Sequence, residues 1–335
     1  MVRKIILKLF LLALPLLFVV GAYWYSDPFK VLRHYDVYPP EYITTNRDYA
    51  STETFLHNFP VYNYDSYLFG PSTSWFYRVD DWEKHIHAHG CFHFDAMNES
   101  LYGVEKKISF LYKNHAHINN VLFIFDTRLL SKTENEPGHL FMKHPLLSGQ
   151  NKLLFQMQAF KDFLYPEFLV AYYDFLINHK RRQYMQKFFI YDKENYKYDT
   201  ITNEISLYRF DSVLRQNPDG YYEYYKPNFY KRDTFQHYGY CVIGQKQKQL
   251  LQSIKKYMTL DNTNYRIVIS PLYNQYKIDP NDLQVLYQIF GKENVFDFSG
   301  INPYTANIRN YYDNEHYRPF ITAQIMDSIY AHSVH

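Results

Sequence analysis

Residues 119–125 form the sequence feature that most restricts how this chain can fold. After two asparagines this run is continuously apolar, Val-Leu-Phe-Ile-Phe, and it stops at Asp126. An uninterrupted apolar run of this length is typical of a parallel strand that is covered on both faces. Shorter apolar runs at residues 66–69 and 265–270 also end at polar or turn-forming residues. The chain is therefore expected to contain a central, fully covered sheet.

Helical patterns separate these runs. The predicted strands are residues 66–69, 91–96, 119–125, 265–270 and 294–298. The predicted helices are residues 100–112 with Ser100 as N-cap, 152–179 interrupted at Pro166, 245–258, 279–290 and 319–331. Strands that alternate with helices predict an α/β fold of three layers, α/β/α, in which a mostly parallel sheet of about five strands carries helices on both faces.

Between the third and fourth strands the alternation of strands and helices is interrupted. Residues 127–243 contain helical patterns and a long stretch crowded with Tyr, Asp, Lys and Asn. A simple crossover needs far fewer residues. We expect a large helical and irregular insertion that carries a lid, a substrate surface or a partner surface.

The N-terminus has the pattern of a membrane anchor. Arg3, Lys4 and Lys8 precede or interrupt an apolar stretch over residues 9–24. Basic residues stay on the cytoplasmic side, so the pattern predicts an N-terminal transmembrane helix, a cytoplasmic N-terminus and an extracytoplasmic remainder, periplasmic or on the cell surface. Residues 20–22 (Val-Gly-Ala) are small enough for signal-peptide cleavage, but the aromatic residues that follow favour an uncleaved anchor. The predicted organisation is an anchor over 1–25, an irregular stalk over 26–61 and a folded domain over 62–335.

Composition excludes some classes of function. With 36 basic and 34 acidic residues in 335, the chain has no basic excess for binding nucleic acid. The 37 tyrosines and 27 phenylalanines are consistent with sugar stacking or with compositional bias. Cys91 and Cys241 lack Cys-x-x-Cys spacing, and both a disulfide and two buried free thiols stay open.

A serine follows the first predicted strand at a sharp turn. Gly70-Pro71-Ser72 ends the apolar run and leads toward a helical segment. Open α/β sheets bind ligands at the carboxyl ends of their strands, so Ser72 is a candidate nucleophile. The alternative is that Ser72 is an ordinary N-cap residue.

Two further polar residues lie just before the last predicted helix. Asp313 and His316 are three residues apart, and such a pair can supply the general base and its orienting carboxylate for a serine nucleophile. The alternative is a surface loop or a capping pair ahead of Pro319.

The two stretches together resemble the SGNH/GDSL family of esterases and acyltransferases, especially membrane-associated relatives that modify bacterial envelope polysaccharides. In that family the serine lies in a Gly-Asp-Ser-type turn, here with Pro71 in place of aspartate, and an Asp-x-x-His precedes the last helix. The resemblance implies a flavodoxin-like sheet and a triad of Ser72 as nucleophile, His316 as general acid and base, and Asp313 as orienter. It implies no cofactor.

The oxyanion hole departs from the family pattern. The resemblance implies the Ser72 backbone amide as one donor, but the third strand ends in Phe125-Asp126-Thr127, without the expected glycine and asparagine. Asn98 after the second strand is the best substitute, and its alternative role is capping a helix. Asp126 has the wrong charge to act as an oxyanion donor.

Alternating histidines raise a different possibility. His85, His87 and His89 are followed by His93, and on a strand such positions share one face and can bind zinc. The flanking residues indicate a connecting segment instead, and we expect no metal.

The resulting expectation is an O-acyl, most simply O-acetyl, esterase or O-acyltransferase that acts on an envelope glycan or an acylated small molecule. The competing hypothesis is a non-catalytic binding or assembly protein in a polysaccharide modification or export complex, with envelope proteins as partners. Neither hypothesis involves nucleic acid.

Overall fold

The computed structural model of the chain describes residues 2–38, 43–188, 190 and 196–331. The strands in the described residues are β1 Ser66–Phe69, β2 Cys91–His93, β3 Asn120–Phe125, β4 Lys197–Tyr198, β5 Ile205–Ser206, β6 His237–Tyr238, β7 Asn264–Ile269, β8 Tyr276–Lys277 and β9 Val295–Asp297. The centre of the fold is a sheet of five parallel strands in the order β2-β1-β3-β7-β9. The predicted mixed α/β fold with a five-stranded parallel sheet is confirmed.

Helices make up much of the rest. They are α1 Val2–Ser26, α2 Arg47–Tyr62, α3 Val79–Trp82, α4 Leu101–Lys113, α5 Thr127–Ser131, α6 Pro145–Ser148, α7 Lys152–Phe163, α8 Pro166–Asn178, α9 Tyr208–Gln216, α10 Pro218–Tyr225, α11 Gln245–Leu260, α12 Pro280–Phe290, α13 Pro303–Ala306 and α14 Pro319–Tyr330. Several begin at residues suited to that position: Ser100 caps α4 through the Gly103 amide, and proline is the first residue of α8, α12 and α14.

Side chains of successive strand residues point to opposite faces of the sheet, and each face is covered by helices. On one face Phe69, Phe123 and Ile267 pack among residues of α2, α4, α11 and α12. On the other face Leu68 and Ile124 pack against α14 and α3, together with residues of α9 and α10. Every residue of β3 is buried, as its unbroken apolar run predicts.

The insertion forms an additional apolar cluster and also covers one edge of the central sheet. Helices α7 and α8 form a separate apolar cluster with Tyr23, Phe29 and Val31. The antiparallel pair β4–β5 contains a turn that covers the edge strand β2, where the His93 amide donates to the Thr202 carbonyl. This contact protects an edge that would otherwise expose unpaired backbone groups.

Residues 26–61 differ from the irregular stalk predicted for them. Most of α2 lies within this range, starting at its N-cap Asn46, and Phe55 of α2 is part of the main core. The helix was missed because its periodicity is weak: Arg47, Asp48 and Thr52 are buried alongside its apolar residues. Part of the range, residues 39–42, lies outside the described residues.

The N-terminal segment is helical from Val2 to Ser26. In the described part of the chain, no helix combines the length and the apolar character needed to cross a bilayer. The predicted N-terminal transmembrane helix is therefore not found there.

Both cysteines are free thiols. Cys91 is buried, whereas Cys241 is exposed and donates a hydrogen bond to Asp282. The alternative of two buried free thiols is therefore wrong, because only Cys91 is buried.

Candidate active site

Ser72 lies at the carboxyl edge of the sheet. Strand β1 ends at Phe69, and after Gly70 and Pro71 the chain enters a 3-10 helix, Ser72–Phe76. A Cβ atom on Gly70 would lie 2.8 Å from Ser74 Cβ and 2.9 Å from Ile124 Cβ, so only glycine fits this turn. Since Ser72 opens the 3-10 helix, its amide has no acceptor within that helix and is a potential donor to another group.

The position of Ser72 is also favourable topologically. Strand β1 pairs with β2 on one side and with β3 on the other. The chain order therefore reverses between β1 and β3, and open α/β sheets bind ligands at the carboxyl ends of the strands beside such a point.

His316 and Asp313 lie in a tight loop that closes on itself. Tyr311 and Tyr317 form an antiparallel bridge, and the Tyr312 amide donates to the His316 carbonyl at 2.8 Å. Helix α14 begins directly afterward at Pro319. The loop is thereby fixed at both ends.

The structure brings the three predicted residues together. Ser72 Oγ lies 3.1 Å from His316 Nε2. On the other side of the ring, His316 Nδ1 lies 2.9 Å from Asp313 Oδ2. The Asp313 Oδ1 atom accepts from the amides of Glu315 and His316, both at 2.8 Å. The hydroxyl, the imidazole and the carboxylate form one continuous chain of hydrogen bonds, as in a serine hydrolase triad.

Electrostatics favour a charged Asp313 and an imidazole that readily accepts a proton. Burial alone would raise the pKa of Asp313, but His316 and the two amides together lower it below its usual value. Burial also tends to lower the pKa of His316, and the charge and hydrogen bond of Asp313 outweigh it, so that this pKa is raised above 6.5. Asp313 thus stabilises the imidazolium that proton transfer from Ser72 would form.

Tyrosine hydroxyls from outside the loop hold its backbone. Tyr221 Oη donates to the Tyr312 carbonyl at 2.8 Å, and Tyr222 Oη donates to the Tyr311 carbonyl at 2.9 Å. Both belong to α10 of the insertion. Tyr311 Oη in turn donates to the Pro271 carbonyl at 2.8 Å. The insertion therefore braces the loop that carries His316.

A buried ion pair lies beneath the site. Asp95, which follows β2, accepts from Arg47 Nε at 2.9 Å and from Arg47 Nη2 at 2.8 Å. Trp75 Nε1 donates to the same carboxylate at 2.5 Å, and His93 Nδ1 lies 3.3 Å away. Burial opposes ionisation of Asp95, but Arg47 and His93 lower its pKa well below its usual value. The Trp75 ring, fixed in this way, lies nearly parallel to the His316 ring at an angle of 4°.

A second buried network supports the segment after β2. Lys107 and Lys143 each lie 2.5 Å from Glu99, and both also contact Asp48 of α2. Gly103 leaves room for these groups, because a Cβ atom there would lie 2.2 Å from Glu99 Oε1. The network fixes the residue next to Asn98.

The triad opens into a cavity of about 710 Å³, a size suited to a small organic ligand. Ser72, His316 and Asn98 all line it, which places the predicted side-chain donor on the same cavity as the nucleophile. Asn98 has a left-handed backbone, φ 54°, and is not the cap of α4, a position that Ser100 fills. Aromatic side chains form much of the wall, namely Tyr38, Trp75, Phe141, Tyr196 and Tyr230.

Asp126 also lines the cavity, and its structural role is clear. It is the N-cap of α5 and accepts from the Leu129 amide at 2.7 Å. Burial raises its pKa above the usual value. The carboxylate at the end of the central strand therefore caps a helix.

The alternating histidines do not share a strand face. His85 ends a 3-10 helix and contacts Asp327 at 3.2 Å, and His87 and His89 lie in the loop before β2. His93 is fully buried against Asp95. The strand geometry that a zinc site at these positions required is therefore not present.

The chain was compared with family models, with curated proteins and with solved structures, and none of the three comparisons finds a match.

Sequence reasoning missed the groups that support the site. Arg47 and Asp95 are 48 residues apart, and no local pattern connects them. Asp95 lies within the second predicted strand, residues 91–96, whereas the observed strand β2 already ends at His93. Because the strand end was predicted too late, the position of Asp95 gave no signal like the one that identified Asp126. The tyrosines of α10 carried no signal beyond the high tyrosine content.

The effect of Asp313 on the pKa of His316 can be tested without measuring any activity. Histidine-ring NMR of the wild-type protein should show the pKa of His316 raised above the usual range of a histidine, because Asp313 stabilises the charged ring. In Asp313→Asn the negative charge is lost while burial persists, so the midpoint should move to lower pH. An unchanged His316 midpoint in the variant would contradict the assignment.

Proposed function

We propose that the chain is a serine hydrolase or acyltransferase of SGNH type that forms an acyl-enzyme on Ser72. The observation that carries the proposal is the 3.1 Å separation of Ser72 Oγ and His316 Nε2, backed by Asp313 on the other ring nitrogen. Nucleophile, base and orienter in this arrangement constitute the recurring apparatus of acyl transfer. The strand order, which is 2-1-3-4-5 when only the five sheet strands are counted, supports a flavodoxin-like topology.

In the proposed reaction, His316 Nε2 takes the proton from Ser72 Oγ as the oxygen attacks the ester carbonyl. The same imidazolium then donates that proton to the departing alcohol, leaving an ester on Ser72. Water or a second hydroxyl, deprotonated by His316, attacks this ester and takes the acyl group as an acid or a new ester, while His316 returns the proton to Ser72 Oγ. Since His316 must start neutral, the rate should rise with pH through its raised pKa.

The oxyanion would be stabilised by the Ser72 amide and the Asn98 side chain. The two groups line one cavity and lie on different strand-to-helix connections. Donors held rigidly before the reaction stabilise developing charge at little reorganisation cost. The Glu99–Lys143 contact beside Asn98 supplies that rigidity.

The proposed substrate is an O-acylated, most simply O-acetylated, sugar of an envelope glycan. The cavity combines aromatic side chains with many polar and charged ones, which suits both the faces and the hydroxyl groups of a sugar. Hydrolysis and transfer share the acyl-enzyme and differ in the acceptor that resolves it.

We also propose that the protein is exported and held at a membrane by its N-terminal segment. Arg3, Lys4 and Lys8 lie in the first turns of α1, ahead of the apolar residues 9–24. Most described side chains of this apolar stretch are exposed, with Leu12 78% and Phe18 75% accessible. Deleting residues 2–22 should move the protein from the membrane pellet to the supernatant. The shortened chain keeps Tyr23, which belongs to the apolar cluster with α7 and α8. Equal sedimentation of both forms after alkaline extraction would refute the anchor.

The acyl-enzyme can be tested with Ser72→Ala. Turnover of p-nitrophenyl acetate and labelling by a fluorophosphonate should both be lost, with a fall in kcat of about 10⁶ in the most complete case, because the nucleophile is absent. Ser131→Ala, which changes an exposed serine on neighbouring α5, is the matched control and should behave as wild type. Equal labelling of the two variants would exclude Ser72.

The same labelling experiment distinguishes the proposed enzyme from the competing hypothesis. A non-catalytic binding or assembly protein predicts no labelling of wild-type Ser72 although the protein is folded. Glycan binding would then survive Ser72→Ala.

The oxyanion donor is tested by Asn98→Gly. Glycine tolerates the left-handed backbone at this position and removes only the side chain. We expect kcat to fall by about 10²–10³ with little change in KM, because the lost interaction forms mainly in the transition state. Retention of wild-type kcat would assign the second donor to another group.

A further inference from the structure

We propose that His34, Asp36 and His57 form a binding site for a divalent transition-metal ion of the zinc class. One ligand atom from each of the three lies within 4.8 Å of the other two. All three side chains are exposed, and the two imidazole rings are 6.3 Å apart between centroids. The site lies apart from the catalytic cavity and is independent of the proposed function.

The three ligands come from two separate segments. His34 and Asp36 belong to the loop after α1, whereas His57 belongs to α2. Two imidazole nitrogens and one carboxylate oxygen are a common donor set for zinc and neighbouring metals. Water would complete the coordination on the exposed side, and a small closing movement of the side chains would bring the ligands to bonding distance.

A carboxylate already orients one of the imidazoles. His34 Nδ1 lies 3.0 Å from Glu53 Oε2, and the other oxygen of Glu53 lies 3.0 Å from His144 Nε2. With Nδ1–H donating to Glu53, the lone pair of His34 Nε2 is available to a metal. This pairing of carboxylate and histidine is the usual support of metal-bound histidine.

The loop that presents His34 is itself held in place. Asp27 is buried and accepts backbone amides from Val31, Leu32 and Arg33. Tyr35 Oη also donates to Asp27 at 3.0 Å. A fixed loop lowers the entropic cost of bringing its ligands to those of α2.

A second group of possible ligands is less suitable. Cys241, Asp279 and Asp282 also lie close together. However, Asp279 caps α12, and Asp282 accepts the amides of Val242 and Ile243. Because both carboxylates already serve the backbone, binding a metal there would cost those hydrogen bonds.

The test is zinc binding to the tag-free, full-length protein after treatment with a chelator, measured by calorimetry and by elemental analysis after dialysis. We expect one equivalent in the wild type, and loss of that equivalent in His34→Ala and in His57→Ala. Glu53→Gln should weaken binding by about 10-fold or more, because His34 loses its charged partner. Wild-type circular dichroism of the variants would show that they are folded.

Two control variants locate the metal. His117→Ala removes an exposed histidine elsewhere, and Cys241→Ala disrupts the alternative group; both should retain the full equivalent. No zinc uptake by the wild type would overturn the proposal. Uptake that survives His34→Ala and His57→Ala, or disappears in Cys241→Ala, would overturn it as well.

Discussion

The hydrogen bond between Ser72 and His316 joins segments 244 residues apart in sequence. A contact this distant in the chain is maintained only if both segments are fixed by stronger interactions, because one hydrogen bond contributes about 1 kcal/mol. The Ser72 turn is fixed by the close packing at Gly70. The His316 loop is fixed by its bridge, by α14 and by the hydroxyls of α10. The site geometry is therefore a consequence of packing around it.

Buried charge is the second constraint on the site. Isolated buried ions are strongly unfavourable, and removing one partner of a buried pair costs about 3–5 kcal/mol. Here Arg47 pairs with Asp95 through two hydrogen bonds, and Lys107 and Lys143 share Glu99 and Asp48. These networks join α2 to the segment after β2. Helix α2 is thus part of the apparatus that positions the Ser72 turn and Asn98, although it contributes no proposed catalytic group.

The sheet could be predicted from the sequence because the patterns that define its strands and helices are local. The apolar run at β3, the proline and cap residues of α12 and the glycine at the end of β1 each define an element without reference to the rest of the chain. Ser72, Asp313 and His316 could be proposed because they occur at ends of predicted elements. Arg47 could not, since its partner Asp95 is far along the chain and its own helix buries charged residues along with apolar ones.

The insertion both lines the cavity and holds the loop that carries His316. Tyr196 and Tyr230, both within it, line the cavity, while Tyr221 and Tyr222 hold the backbone beside Asp313. Burial raises the pKa of the Tyr221 hydroxyl far above its usual range, so this group remains a neutral donor to the loop at any physiological pH. Because the same segment lines the cavity and braces the loop, a change in its packing alters both the shape of the cavity and the orientation of His316. These four tyrosines of the insertion therefore have a structural role at the site.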